Sequence, residues 1–254
     1  MRRERDSQIR AVERTFRIVQ TLQEISGGTV TAVADHVNLP KSTVYNHLQT
    51  LLANGYVARA GEEYHLGLRF LEHGGYTRVQ MDVFQIAKGE VEELAAETGE
   101  LVNLLVEEHG RGIYLYRECG DQAVTLDSYV GKRQGLHSTA FGKAMLAYMP
   151  EARVGKILDR HGMPKRTERT IDDREELFDE LAEIRDRKCA YDDEESLDGL
   201  RCVAAPILTQ QQEVLGAVSV SGPISRIRDD RFTQELPDLL RRTTNVIEIN
   251  MTYT

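Results

Sequence analysis

The sequence predicts an α+β protein of two domains: three helices and a β-hairpin first, then an antiparallel sheet with flanking helices. In the first seventy residues, apolar positions recur every three or four residues, as on one face of a helix. Later strand-like and helical runs mix without strict alternation, which is typical of an antiparallel sheet covered by helices. Charge separates the two parts, because residues 1–80 carry ten basic and eight acidic residues whereas residues 81–254 carry 22 and 33. We therefore expect domains at 1–70 and 71–254.

Composition excludes several classes of protein. The 254 residues are 41% hydrophobic and 29% charged, with a net charge of −9, so a sizeable core is feasible and disorder is not expected. No apolar run is long enough for a membrane helix, and no signal peptide is apparent, so we expect a cytoplasmic protein without a membrane partner. The acid surplus, with 25 arginines among 32 basic residues, fits a salt-adapted source. Three scattered cysteines support neither a disulfide framework nor a zinc site.

The first three helices have buried stripes and plausible ends. The first is stopped by Gly27 and Gly28. The second has Thr29 or Thr31 as its N-cap, and the third, after Pro40, has Ser42 or Thr43. Their apolar stripes are Ile9, Val12, Phe16, Val19, Leu22 and Ile25 in the first, Val30, Val33, Ala34 and Val37 in the second, and Val44, Leu48, Leu51 and Leu52 in the third.

A hairpin over 56–66 follows the third helix, and this order is the layout of a winged helix-turn-helix. The third helix has no acid, as approach to phosphates requires. Asn46 and Gln49 can pair with adenine, while Arg59 on the wing is placed to contact phosphate. A small helical domain that binds protein is the alternative. The full predicted DNA-binding set is Lys41, Ser42, Thr43, Tyr45, Asn46, Gln49, Thr50 and Arg59. Six arginines near the start, Arg2, Arg3, Arg5, Arg10, Arg14 and Arg17, add local positive charge.

The strings at 39–45, 48–51, 54–57 and 64–67 resemble the IclR-type transcriptional regulators. One departure is Asn46-His47, where that family commonly has Arg-Leu. The resemblance implies a winged helix-turn-helix that binds an operator in double-stranded DNA, and the departure concerns which bases are read.

The second part begins with a long linker helix that ends at Gly99. Asp172 with Glu175 can form a capping box for one of the later helices. Lys143, in a helical context, is expected to be solvated. The predicted strands are 101–106, 113–117, 123–129, 203–208 and 214–221, and the predicted helices are 140–149, 150–161, 173–188 and 230–250.

The resemblance continues at 137–144, 192–199, 202–206 and 218–223 and implies a GAF-like effector domain. Independently, the first amides of the helix at Ala140 lack partners within that helix, which makes an anion site that suits a small carboxylate. Ser219 and Ser221 lie two apart on a strand and share a face. In the family, the positions that line the effector pocket correspond to Ala140, Phe141, Asp192, Cys202, Ser219 and Ser221.

These observations predict a transcriptional regulator whose operator affinity is set by a small organic or sugar-derived acid. We expect a homodimer or a dimer of dimers, because paired half-sites multiply affinity. No catalytic residue, cofactor or metal site is expected, since neither phosphate-loop nor metal-helix motifs occur. The alternatives are a GAF-like enzyme that uses one of the three cysteines and an interaction adaptor that does not bind DNA.

Overall fold

A computed structural model describes residues 9–253 and divides into two compact units between Thr77 and Arg78. Three of the arginines that were predicted to add local positive charge lie outside the described residues: Arg2, Arg3 and Arg5.

The first unit contains the predicted three helices and hairpin. Ile18, Val44, Leu48 and Tyr64 are among its buried residues, and each is at most 1% exposed. Burial accounts for the apolar spacing of α2 and α3. The stripe predicted for α1 was wrong in its first half, because Ile9, Val12 and Phe16 are 68%, 47% and 59% exposed and Ile18 is buried instead. The elements are α1 (Arg10–Glu24), β1 (Gly28–Thr29), α2 (Val30–Val37), α3 (Lys41–Ala53), β2 (Val57–Ala60) and β3 (Glu63–Leu66).

Two further details of this unit, the cap of α3 and an extra strand, differ from the predictions. Thr29 caps α2 as one of two candidates, but neither Ser42 nor Thr43 caps α3, because α3 already begins at Lys41 and Pro40 occupies the N-cap position. Strand β1 was not predicted. Its two residues pair antiparallel with β3, and so the hairpin becomes a three-stranded sheet of order β1-β3-β2.

The predicted linker helix is two helices, α4 (Arg69–Val79) and α5 (Asp82–Thr98). Met81 has an extended backbone, with φ −91° and ψ 113°, so the helical hydrogen bonding stops there. Gly99 ends α5 in the left-handed conformation, with φ 72°, as its position after the last apolar residue predicts.

A six-stranded antiparallel sheet of order β6-β5-β4-β9-β8-β7 forms the centre of the second unit within the described range. One face packs against α5 and α9, and the other packs against α6, α7 and α8. The predicted α+β class is confirmed. The strands are β4 (Leu101–Glu108), β5 (Arg111–Cys119), β6 (Arg133–Gln134), β7 (Ala190–Asp193), β8 (Leu200–Leu208) and β9 (Val214–Pro223), and the helices are α6 (Ala140–Leu146), α7 (Glu151–His161), α8 (Arg174–Arg187) and α9 (Leu236–Thr252), the last preceded by a π-helical turn (Arg231–Glu235).

Two local predictions for this unit were wrong, and one strand was not predicted. Residues 123–129 form a loop, because no strand pairs with them, and the edge of the sheet is instead taken by β6. The cap of α8 is Asp173, whose carboxylate accepts the amides of Glu175 and Glu176, so Asp172 is one residue too early. Strand β7 was not predicted, and it completes the sheet beside β8.

Candidate functional site

Helix α3 presents polar side chains on the surface of the first unit. Val44 and Leu48 are fully buried on one side of the helix, while Tyr45 is 48% exposed on the other. The buried stripe fixes which residues face outward, since helical residues three and four apart share a face. Of the predicted DNA-binding residues on α3, the exposed ones are Lys41, Ser42, Tyr45, Asn46 and Thr50, and the half-buried ones are Thr43 and Gln49.

Gln49 and the wing meet at Tyr64, a contact that sequence reasoning did not anticipate. The Gln49 side-chain amide donates a hydrogen bond to the buried Tyr64 hydroxyl at 2.9 Å. Arg59 lies over the Tyr64 ring, 5.6 Å from its centroid, and donates to the carbonyl of Gly61. Gln49 is therefore bound to the wing and Arg59 is held within it, whereas the Asn46 side chain is exposed.

The second unit contains a cavity of about 200 Å³ between the start of α6 and the β7–β8 loop. Among the six predicted effector residues, five line it: Ala140, Phe141, Asp192, Cys202 and Ser221. The remaining lining residues, which the sequence analysis did not single out, are Tyr114, Leu126, Asp127, Ser128, Gln134, Thr139, Ser196, Leu197 and Leu200.

Ser219 does not line this cavity. It shares a sheet face with Ser221 but lies two residues earlier in β9. Its hydroxyl accepts a hydrogen bond from the Asn103 side-chain amide at 3.5 Å. Its buried hydrogen bond joins β9 to β4, which is a structural role.

Asp192 organises the polar side of the cavity. Its carboxylate accepts the backbone amides of Glu195 (2.8 Å) and Ser196 (3.1 Å) and the Ser196 hydroxyl (2.5 Å). Burial raises the pKa of Asp192 above its ordinary value, although these hydrogen bonds and the Lys143 ammonium oppose the rise. The carboxyl group therefore takes up a proton more readily than an exposed aspartate.

An aromatic pair forms the apolar side. Tyr114 and Phe141 meet edge to face, with ring centroids 5.8 Å apart. Burial raises the pKa of the Tyr114 hydroxyl, so Tyr114 remains a neutral hydrogen-bonding group. The lining of the cavity thus combines apolar and polar groups, as small-molecule sites commonly do.

Behind the cavity is a buried ion pair, and the expectation that Lys143 is solvated was wrong. Lys143 is 1% exposed, and its ammonium pairs with Glu195 and lies 3.5 Å from Glu180. Glu180 also binds Arg187 at 2.6 Å. One sequence signal was available, since Lys143 is the single charged residue in the apolar run 140–146.

Nucleophilic chemistry finds no support in these groups. Burial raises the pKa of Cys189 to about 12 and that of Cys202 well above its ordinary value, so neither is an activated thiolate. His137 contacts the carbonyl of Pro164 rather than an acid. Among residues 9–253 no cluster of three or more metal-binding side chains occurs, and no helix there is long and apolar enough to cross a bilayer.

The chain matches two descriptions of known domains. Residues 11–61 match the IclR helix-turn-helix domain, and residues 76–249 match the C-terminal domain of the bacterial transcriptional regulator IclR. Helix α3 and strand β2 lie within the first range, and the whole lining of the cavity lies within the second, while β3 of the wing falls between the two ranges.

Three similar proteins cover most of the chain. A probable transcriptional regulator, ArcR of Halobacterium salinarum, is 31% identical, covering 96% of this chain and 94% of its own. The transcriptional repressor IclR of Escherichia coli is 32% identical, covering 89% and 85%. An IclR homologue from Microbacterium hydrocarbonoxydans, complexed with 4-hydroxybenzoate, shares the fold at 22% identity, with a TM-score of 0.82 and coverage of 96% and 100%.

The named relatives regulate transcription and are not enzymes, so the cysteine-enzyme and non-DNA adaptor alternatives are set aside. With both domain matches in the expected order and full-length relatives above 30% identity, the chain belongs to the IclR family of DNA-binding transcriptional regulators, which carry an effector-binding C-terminal domain.

Proposed function

We propose that this regulator binds a small organic or sugar-derived acid in the cavity between α6 and the β7–β8 loop. The observation that carries the proposal is Asp192, a buried carboxyl group with a raised pKa on the polar wall of a cavity of about 200 Å³. A carboxylate ligand can share a proton with such a group, as paired carboxyl groups do. The structural relative is complexed with 4-hydroxybenzoate, a small organic acid, which supports an acid as the effector class.

The apolar wall selects the rest of the effector. Phe141 is 5% exposed and, with Tyr114, adds aromatic surface to the lining of the cavity. An acid with a compact, partly apolar body fits this space, while hydroxyl groups on the ligand can meet Ser221, Ser128 and Gln134 on the polar side.

For the operator, the exposed side of α3 would enter the major groove. Asn46 is an exposed group suited to a bidentate contact with adenine, and Lys41 is placed for phosphate. Gln49 would read bases after releasing Tyr64 or would stay as a support for the wing. Ser42, Thr43, Tyr45, Thr50 and Arg59 complete the proposed contact set with phosphate and sugar.

The protein would act in the cytoplasm as a homodimer or a dimer of dimers, with its 1–70 and 71–254 domains serving DNA and effector respectively. Two reading helices on paired half-sites raise both affinity and specificity. An effector that binds two arrangements of the protein with different affinity shifts the population between them and so changes operator affinity.

One experiment tests both proposed sites. Purified full-length protein is titrated onto genomic duplexes and onto random duplexes over a range of salt, and small acids are then added. We expect a preferred genomic segment, a negative salt slope and a change in affinity with one class of acid. Equal affinity for all duplexes contradicts the operator assignment, and an effect of neutral sugars or amines but not of acids contradicts the effector class.

A second measurement addresses the shared proton. Calorimetry of acid binding in two buffers of different ionisation enthalpy is expected to show proton uptake, and affinity is expected to rise as pH falls. Binding without proton exchange would contradict the proposed role of Asp192.

A further inference from the structure

A small cationic crevice lies in the second unit, separate from the effector cavity. Its enclosed volume is about 10 Å³, and it is formed by the start of β5, the 135–137 segment, α7 and the loop after α7. That volume holds one water-sized particle. Four of its lining side chains are Arg111, His137, His161 and Arg166.

No carboxylate lines this crevice. Neither Arg111 nor Arg166 forms an ion pair with any residue in the range 9–253, whereas most other arginines of the second unit have a carboxylate partner there. Burial lowers the pKa of His137, and the positive charges of Arg166, Arg111 and Lys143 lower it further. Converging cations without a counter-charge attract an anion.

Gly135 lies beside both nitrogens that would contact such an anion. A Cβ atom built on Gly135 would be 3.7 Å from Arg111 Nη1 and 3.7 Å from His137 Nδ1. Both nitrogens therefore face the same side of Gly135, where the crevice lies. His137 Nε2 is already engaged with the carbonyl of Pro164 at 3.2 Å, which leaves Nδ1 toward the gap.

We propose that this crevice binds one halide ion, chloride in ordinary buffers, between Arg111 and His137. The small volume favours a monatomic anion over tetrahedral phosphate or sulfate. Because Nε2 of His137 faces a carbonyl oxygen and donates to it, Nδ1 contacts an anion favourably only when His137 is protonated. Halide binding then takes up a proton and strengthens as pH falls.

The position of the crevice gives the ion a structural role. Gln134 and Thr139 line the effector cavity, while Gly135, Leu136 and His137 between them line the crevice. The bound halide would thus contact the segment 135–137, and Gln134 and Thr139 on either side of that segment would contact the effector.

Bromide is the probe for a direct test on the full-length protein. Crystals grown in sodium bromide are expected to show an anomalous peak between Arg111 and His137. In solution, broadening of the ³⁵Cl resonance by the protein, with bromide as competitor, gives the halide affinity. Arg111→Gln is expected to weaken that affinity at least about tenfold.

Gly135→Ala supplies the sharper test, because its methyl group would stand between Gly135 and the two nitrogens at ordinary contact distance, and its backbone has no left-handed φ. It should fold and lose the anomalous peak. Gly89→Ala, with open space around it on α5, is the matched control and should keep the peak. The proposal is overturned if bromide is absent from the wild-type crevice, if Gly135→Ala retains full halide affinity, or if sulfate displaces bromide more effectively than chloride does.

Discussion

The ammonium of Lys143 pairs with the carboxylate of Glu195 inside the second unit, 52 residues further along the chain. The backbone amide of Glu195 also donates a hydrogen bond to Asp192, which lines the cavity at the start of α6. A charge on α6 therefore holds the loop that carries the polar wall of the cavity, while the second Glu195 oxygen, Oε2, is buried without a hydrogen-bond partner in the described structure.

Replacing Lys143 by methionine should destabilise the second unit strongly. The substitution keeps most of the volume but removes the cation beside Glu195. Above pH 7, where the carboxyl group of the wild type is mostly ionised, this loss costs about 3–5 kcal/mol. Urea unfolding measures the loss. Lys156→Met, at an exposed position on α7, is the control and should change stability by less than about 0.5 kcal/mol.

Adding Glu195→Gln to Lys143→Met should recover part of that loss, because the neutral amide needs no counter-charge. The two substitutions are therefore expected to be non-additive in a double-mutant cycle. Additive effects would show that the ion pair is not the reason for the instability of the single variant.

The stability of the wild-type protein should depend on pH through Glu195. Burial raises the pKa of this carboxyl group from 4.5 to about 7, against the opposing effect of Lys143. Between pH 4.5 and 7, the folded state therefore keeps a proton on Glu195 that the unfolded state has lost. This proton stabilises the folded state by roughly 3 kcal/mol, a contribution that is fully present below pH 4.5 and is lost as pH rises through 7.

The test is urea unfolding at several pH values, with Glu195→Gln as the comparison. The variant should have a flatter dependence of stability on pH between 4.5 and 7. If wild type and variant keep the same slope, Glu195 is not the titrating group.

Asn46 and Lys41 should affect DNA binding differently. Asn46→Ala removes the proposed base contact and is expected to reduce the preference for operator over random duplex by about 1–3 kcal/mol. Lys41→Gln is expected to weaken binding to all duplexes and to reduce the salt slope by about one. Fluorescence anisotropy over a salt series distinguishes the two, and a uniform loss from Asn46→Ala would contradict its role in reading bases.

Asp173→Ala should cost about 1 kcal/mol, since it removes the acceptor for the amides of Glu175 and Glu176 at the start of α8. Asp172→Ala is the adjacent control and should have little effect, because α8 is capped by Asp173. Thermal unfolding of the two variants side by side checks the assignment. Equal losses of stability would contradict the assignment of the cap to Asp173 alone.

Local patterns determined much of the fold. The apolar spacing of α2 and α3 and the turn between β2 and β3 are properties of neighbouring residues, so these elements could be predicted closely. The existence of α1 was also predicted, but not which of its apolar residues are buried. In the second domain, Gly142 permits a close backbone approach, because a Cβ there would lie 2.2 Å from the Leu136 carbonyl oxygen. Five of the six residues that the family resemblance predicted for the effector pocket line one cavity.

Residues 123–129 show the limit of such patterns. Their composition suits a strand, yet a strand needs a partner, and β6 occupies the available edge beside β5. Leu126, Asp127 and Ser128 consequently form a loop at the cavity. Pairing between distant segments is not encoded in local alternation.

The sequence by itself determined the order of the helices and most strands, the acid-free face of α3 and the motifs of the effector domain. Only the tertiary structure decided that Gln49 binds Tyr64, that Ser219 faces Asn103, and that Lys143 is buried. The physical reason is that a charged or polar group can be buried only where a partner is present, and here each partner comes from a different element of the chain.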